Sequence, residues 1–180
     1  MHFFFYYRIF KMVYFFNLKK YICYLLFFYS LSLNAATPSH NYYTLTLSIL
    51  SYGRWDDNKN LNLCVIENEN ITKKFQSYVK QYGYFYKVKN LNRNEISKNS
   101  CQVLYFDSLH NFVQFKATNN ICLPTNTLTF TEDELSCESG SSFCLYKKGS
   151  QPTFNTNLDA LSRTNIHIDP RVLLLSKNLE

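Results

Sequence analysis

Glycine and histidine are scarce in this sequence of 180 residues, with four of each. None of the glycines belongs to a phosphate-binding loop or a dinucleotide-binding fingerprint, because both motifs need several glycines at close, fixed spacing. A Cys-x-x-Cys pair, typical of structural zinc sites, is absent as well. We therefore expect no cofactor, no metal ion and no enzymatic activity.

One short segment does contain the residue types of a hydrolytic triad: Asp107, Ser108 and His110. Catalytic triads are assembled in space from distant parts of a chain, so closeness in sequence carries little weight. We interpret these residues as helix-capping or loop residues. A Cys122 nucleophile with His110 as its base would need an activating environment that no pattern here indicates.

Acidic residues are absent from the first 35 residues, which contain four basic residues and 14 of the 32 aromatic residues. The segment has the order of a secretory signal peptide: basic Asn17–Lys20, apolar Tyr21–Leu33, and then Ala35 as a small residue for cleavage. Without residues 1–35 the net charge falls from +6 to +2, so the basic character belongs mainly to this segment. A nucleic-acid partner is therefore not expected.

We predict a signal peptide over residues 1–35, with Met12 as an alternative start, and a mature periplasmic domain over residues 36–180. An uncleaved membrane anchor is the other interpretation. It is weakened because the apolar stretch is shorter than the roughly 20 residues that cross a bilayer.

Five of the six cysteines lie in the predicted mature domain: Cys64, Cys101, Cys122, Cys137 and Cys144. In an oxidising compartment such cysteines are disulfide candidates before anything else. Because their number is odd, at least one thiol is left free or is shared between two chains.

Strands and helices alternate through the first part of this domain. The patterns predict helices at Tyr42–Trp55, Ile71–Tyr82, Arg93–Lys98 and Leu109–Ala117, and strands at Leu61–Ile66, Tyr84–Val88 and Cys101–Phe106, with a turn over residues 56–60. This order indicates a parallel sheet with helices packed against it.

The last part of the chain has a different pattern. It predicts a strand at Asn126–Phe130, a hairpin with arms Phe143–Tyr146 and Gln151–Asn155, and helices at Leu158–Arg163 and Pro170–Lys177. Pro152 places the second arm at a sheet edge, and Asp169 is suited to cap the last helix. The expected fold is a single α/β domain with a mixed, largely parallel sheet of five or six strands flanked by helices.

Several segments, taken in order, resemble the YfiR family of periplasmic regulators. They are Ile49–Trp55, Leu63–Ile66, Cys101–Phe106, Phe154–Ala160, Ile166–Ile168 and Arg171–Leu175. The resemblance implies an α/β protein, often a homodimer, that represses a membrane diguanylate cyclase by binding the cyclase's periplasmic domain. It also implies capture of the repressor by a peptidoglycan-binding outer-membrane lipoprotein, with cyclic di-GMP and biofilm formation as outputs. One departure is Gly140-Ser-Ser142, where the family usually has a paired glycine.

The resemblance further implies a disulfide-stapled domain, with Cys64 bonded to Cys101 and Cys137 to Cys144. A sheet in which the first strand lies between the second and third agrees, since it makes the strands of Cys64 and Cys101 neighbours. We interpret both bonds as structural, with Cys137–Cys144 the better candidate for a redox switch. Cys122 is expected to be a free thiol, and an intermolecular bond is its alternative role.

Aromatic residues crowd two short segments, at Trp55 and at Tyr82, Tyr84, Phe85 and Tyr86. Because successive side chains of a strand point to opposite faces, not all of these aromatic residues can be buried. Exposed aromatic residues suit a protein interface. Our first hypothesis is therefore a regulator that works by protein contact. The second is a periplasmic small-ligand sensor with its ligand in a cleft near the strand ends.

Overall fold

The computed structural model describes residues 41–55, 61–119 and 126–177. They all belong to one compact unit, residues 39–180. The predicted signal peptide, the turn at residues 56–60 and Cys122 lie outside the described residues. Among the described helices, none has both the length and the apolar character needed to cross a membrane.

Helices and strands alternate along the chain. In order they are α1 (Tyr42–Ser51), β1 (Gly53–Arg54), β2 (Asn62–Ile66), α2 (Glu69–Tyr82), β3 (Lys87–Leu91), a first 3-10 helix (Arg93–Lys98), β4 (Val103–Phe106), α3 (Leu109–Asn119), β5 (Leu128–Thr131), a second 3-10 helix (Glu134–Cys137), β6 (Phe143–Lys148), β7 (Gln151–Thr156), α4 (Leu158–Ser162), β8 (His167–Ile168) and α5 (Pro170–Lys177).

Six strands form one mixed sheet in the order β3-β2-β4-β5-β6-β7. Four of its five strand pairs are parallel, and the hairpin of β6 and β7 is antiparallel. The predicted α/β fold class is confirmed, as are the place of the first predicted strand between the second and the third and the place of Pro152 on an edge strand.

The two faces of this sheet carry cores of different size. The larger core lies under α1, α2, α4 and α5, and we call this side the α1–α2 face. Its side chains include Leu50, Phe75 and Tyr105, all fully buried. The smaller core lies under α3 and the first 3-10 helix, on what we call the α3 face. Helices therefore cover the sheet on both sides, as parallel strands require.

Capping residues set the ends of the helices. The side chain of Asn68 accepts a hydrogen bond from the Ile71 N–H at 3.1 Å where α2 begins, and Gly83, at φ 70°, ends that helix in the left-handed conformation. At α5 the Arg171 N–H donates to Asp169 Oδ1 at 2.9 Å, which agrees with the predicted cap.

Several details differ from the sequence prediction. The helix predicted at Tyr42–Trp55 ends at Ser51, because Gly53–Arg54 forms β1, and the second 3-10 helix was not predicted. The strand predicted at Tyr84–Val88 is instead Lys87–Leu91, because those residues pair with β2, and Tyr84 and Tyr86 stack on each other at 5.0 Å ahead of the strand. A small antiparallel pair, β1 with β8, was not predicted. It is extended by the Asp169 N–H, which donates to the Tyr52 carbonyl at 3.1 Å.

Candidate functional site

The Cys64–Cys101 disulfide lies within the smaller core. Cys64 is in β2, Cys101 stands just before β4, and their Cα atoms are 6.0 Å apart. Cys64 is fully buried, and Cys101 is buried among the same group of apolar side chains, which includes Leu104 and Phe106. This is the pairing that the family resemblance implied. The bond ties β2 to the segment just before the adjacent strand β4, and both of its cysteines are buried.

The Cys137–Cys144 disulfide ties the second 3-10 helix to β6, with 5.6 Å between the Cα atoms. Cys144 is fully buried, whereas Cys137 is half-buried. The short loop is also held by hydrogen bonds: Asn157 Nδ2 donates to the Cys137 carbonyl at 2.6 Å, and Lys116 Nζ donates to the Ser139 carbonyl. Of the two disulfides, this one is therefore the more accessible to solvent.

The serines that depart from the family's paired glycine have a structural role beside this bond. Ser141 Oγ and Thr131 Oγ1 are 2.9 Å apart, and the Ser142 N–H donates to Thr129 Oγ1 at 2.8 Å. All four side chains are buried. Their hydroxyls satisfy one another, so this part of the α3 face is held by polar contacts as well as by sulfur.

Asp107, Ser108 and His110 do not form a triad. Asp107 accepts hydrogen bonds from Asn68 Nδ2 at 2.8 Å and from Asn111 Nδ2 at 2.5 Å. Ser108 Oγ accepts from the Asn111 N–H, as a capping residue does, and His110 Nε2 lies 2.7 Å from Gln114 Nε2. These contacts match the capping interpretation. The position of Cys122 relative to His110 stays untested, since Cys122 lies outside the described residues.

The crevice expected for a ligand is crossed by a hydrogen bond. In this topology the crevice lies between the carboxyl ends of β2 and β4, because β3 is on one side of β2 and β4, the next strand along the chain, is on the other side. The bond from Asn68 to Asp107 spans that position. The asparagine also caps α2, so opening the crevice would disturb a helix end.

A carboxylate at the rim of the larger core was not predicted from the sequence. Tyr105 Oη donates to Glu132 Oε1 at 2.7 Å, and the tyrosine is fully buried. Burial raises the pKa of Glu132, as does nearby Asp107, while the Tyr105 hydrogen bond opposes that rise. Burial, together with Glu132, holds the pKa of Tyr105 well above its usual value. The two residues are 27 apart in sequence, so only the adjacent strands β4 and β5 bring them together.

An ion pair at the end of β2 was also missed. Arg93 Nη2 lies 2.7 Å from Glu67 Oε2, and Arg93 Nη1 donates to Gln114 Oε1. Glu67 has φ 52°, an uncommon conformation for a residue other than glycine, so the strand ends there in a sharp turn. The contacts link the ends of β2 and β3 to α3. The Arg93 guanidinium is therefore engaged within the fold.

The crowded aromatic residues divide into packed and exposed members. Trp55 is half-buried, and its Nε1 donates to the Leu50 carbonyl at 2.9 Å. Gly53 lies under this indole, where a Cβ would come within 2.8 Å of the ring. Tyr82 is 39% exposed and Phe85 is 85% exposed. The prediction that some of these rings reach the surface is confirmed, and Phe85 is the clearest case.

A cavity of about 180 Å³ lies at the amino ends of the strands, opposite the crevice. Trp55, Leu61, Gln102 and Ile166 are among its lining residues. Pockets for drug-sized ligands usually measure about 300–1,000 Å³. Across the described ranges, no cluster of histidine, cysteine, aspartate or glutamate could hold a metal ion.

The comparison with known protein families agrees with this geometry. A family described as YfiR/HmsC-like matches residues 43–177. The match begins within α1 and ends with α5, so it includes both disulfides and the whole six-stranded sheet.

Proposed function

This chain belongs to the YfiR/HmsC-like family, and we propose that it is a periplasmic repressor of an inner-membrane diguanylate cyclase. The family match carries this proposal, since it extends over three quarters of the chain rather than over a short motif. Repression would keep intracellular cyclic di-GMP low and so restrain biofilm formation.

We propose that the protein acts by binding and not by catalysis. The polar residues at the carboxyl ends of the strands are engaged in bonds within the fold, as Asp107 is with Asn68 and Asn111. The surface, by contrast, presents large apolar side chains such as Phe85, Leu174 and Leu175. Aromatic side chains such as Phe85 are enriched at protein interfaces. The proposed partners are the periplasmic domain of the cyclase, a peptidoglycan-binding outer-membrane lipoprotein and a second copy of this chain.

The periplasmic location is part of the proposal. Two disulfides are stable in an oxidising compartment and are rare in a reducing cytosol. The order of residues 1–35 supports export through a cleaved signal peptide. Fractionation with a tagged chain tests this: periplasmic protein whose mature end lies near Ala36 is expected, and cytosolic protein with reduced thiols would contradict it.

Deletion of the gene tests the regulatory function. We expect cyclic di-GMP to rise in the deletion strain and to return when the wild-type chain is supplied. A strain that also lacks the cyclase is the control, and there the deletion is expected to change nothing. Unchanged cyclic di-GMP in the single deletion, with the cyclase present, would reject repression.

A small-ligand sensor is the second candidate function, and the cavity beside Trp55, of about 180 Å³, would restrict its ligand to a molecule smaller than a typical drug. Polar and apolar groups, such as Gln102 and Leu61, line this cavity together. Native mass spectrometry of protein purified from the periplasm is the direct test. An added mass that is lost on denaturation would support a bound ligand.

A further inference from the structure

Strand β3 forms one edge of the six-stranded sheet, and its outer side carries backbone groups that no other strand among the described residues covers. The Lys87 N–H donates to the Leu61 carbonyl at 2.7 Å, and the Leu91 carbonyl accepts from the Glu67 N–H at 3.0 Å. Because backbone groups alternate in direction along a strand, those of Val88 and Asn90 point outward. Gln76 Nε2 reaches the Val88 carbonyl from α2 at 3.3 Å, in an exposed contact.

This edge is basic and has no acidic residue. Residues 80–91 contain Lys80, Lys87 and Lys89 and neither aspartate nor glutamate. All three lysines are exposed, and none makes a salt bridge in the part of the chain that the structure describes. Lys87 and Lys89 are two residues apart, so both side chains lie on one side of the strand. Lys89 is in register with Cys64, which places that side on the α3 face.

We propose that the β3 edge is the docking site for an extended, acidic segment of the regulatory partner, which adds to the sheet as a seventh strand. The proposal rests on the proposed function, because it assigns a surface to the partner contact. Outward N–H and C=O groups would hold the added backbone, as in other cases of strand addition. Alternate acidic side chains would meet Lys87 and Lys89, and Phe85, exposed just before the strand, would supply an apolar contact.

Charge argues against a second copy of this chain as the occupant. If two β3 strands paired edge to edge, the lysines of both strands would lie close together on one sheet. Like charges on neighbouring strands destabilise the pairing, and edge lysines commonly prevent such self-association. An acidic strand turns the same lysines into favourable cross-strand pairs. The lysines of β3 therefore favour an added strand with acidic side chains over one with basic side chains.

Peptide binding tests the edge directly. The probe is an end-blocked, fluorescent peptide of alternating glutamate and valine, and its control has lysine in place of glutamate. By fluorescence anisotropy at low salt, the purified, oxidised protein is expected to bind the acidic peptide and not the basic one. Replacing Lys87→Glu together with Lys89→Glu should weaken binding about tenfold. The matched control, Lys148→Glu on β6, should change it by less than about twofold.

A proline substitution separates backbone pairing from charge. Asn90→Pro removes an outward N–H at an edge position that tolerates proline, and it also removes the Asn90 Oδ1 that accepts from the Asn68 N–H. Asn90→Ala removes only that side-chain contact. We expect weaker peptide binding in Asn90→Pro and near wild-type binding in Asn90→Ala. Equal binding by both variants would overturn strand addition, as would a homodimer that Asn90→Pro dissociates.

The same variants distinguish failure of this proposal from failure of the proposed function. In a strain where deletion raises cyclic di-GMP, the double Lys→Glu variant should not restore repression, and Lys148→Glu should. Restoration by both, at equal protein levels, would overturn the docking site and leave the repressor role intact. If deletion leaves cyclic di-GMP unchanged, the repressor role falls, and the peptide measurements alone decide whether β3 accepts an acidic strand.

Discussion

The two faces of the sheet are stabilised in different ways. The α1–α2 face has the larger apolar core, and its helices are held without a disulfide among the described residues. The α3 face has the smaller core, yet both disulfides lie on it: Cys64 and Cys101 are within that core, and Cys144 shares its side of the sheet through its register with Thr131. Covalent bonds are thus found where apolar burial is least.

This difference has a consequence for environmental sensitivity. The α3 face depends on sulfur, so reductant should affect it most. The α1–α2 face depends on packing, and at its rim Tyr105 donates to Glu132, whose pKa is raised by burial. A change confined to one face should therefore separate the two contributions to stability.

The largest effect is expected from removing the Cys64–Cys101 bond. Replacing both residues by alanine should lower the free energy of unfolding by roughly 3–4 kcal/mol, since the bond closes a long loop with a sequence separation of 37. Urea unfolding of the oxidised variant and wild type measures this. The reduced wild type should lose more, because it lacks both bonds. A loss below about 1 kcal/mol would show that the smaller core holds without the disulfide.

A smaller loss is expected from removing the Cys137–Cys144 bond. Replacing both residues by serine should cost about 2 kcal/mol, because the sequence separation is only 7 and the loop keeps its hydrogen bonds from Asn157 and Lys116. Thermal unfolding and cyclic di-GMP are measured on the same variant. Reduced stability with intact repression indicates a structural bond. Lost repression with nearly unchanged stability would instead indicate a redox switch.

On the other face, Tyr105→Phe should cost about 2 kcal/mol, because it removes a buried hydrogen bond to a carboxylate. The pKa of Glu132 should rise further, since the Tyr105 hydroxyl is a group that lowers it. Urea unfolding measures the loss. Tyr86→Phe is the matched control, since the Tyr86 hydroxyl has no hydrogen-bond partner among the described residues. Equal losses in the two variants would contradict an energetic role for the Glu132 contact.

The smallest effect is expected from Glu132→Gln, which removes the charge and keeps an acceptor for Tyr105. Burial raises the pKa of Glu132 in the folded state, so the folded protein binds the proton more tightly than the unfolded chain does. Wild-type stability should therefore fall as pH rises from about 4.5 through the raised folded pKa. The variant should lose less over that interval. A steeper decline in the variant would contradict this assignment, in which Asp107, Lys74 and Lys147 also act on Glu132.

The order of strands and helices along the chain could be predicted because local patterns indicate each element. Apolar runs such as Val103–Phe106 are typical of strands buried on both faces, and the amphipathic pattern of α2 has its apolar residues on one side. The position of β3 could not be predicted in the same way. Tyr84–Tyr86 has a high strand propensity, but pairing with β2 selected Lys87–Leu91 instead. In this segment, the pairing with β2 outweighed the local strand propensity of the tyrosines.

The polar contacts at the carboxyl ends of the strands could not be predicted from the sequence for a related reason. Asn68 with Asp107, Glu67 with Arg93 and Tyr105 with Glu132 are each separated by more than 25 residues. Nothing in the spacing of such residues distinguishes them from ordinary surface positions. Only parallel strand pairing brings each pair together. The disulfide pairing could be anticipated because the family resemblance supplied information that the residues alone did not contain.

The pairing of β1 with β8 joins residues near the beginning of the folded unit to residues near its end. A chain that emerges in order, from a ribosome or through a secretion channel, exposes Gly53 long before Ile168 is available to pair with it. The β1–β8 pair can therefore form only after more than a hundred further residues have appeared, whereas α1 can pack against α2, as Tyr43 does on Phe75, before then. Pairing of β1 with β8 is therefore a late step in folding, and a chain shortened before β8 could not complete it.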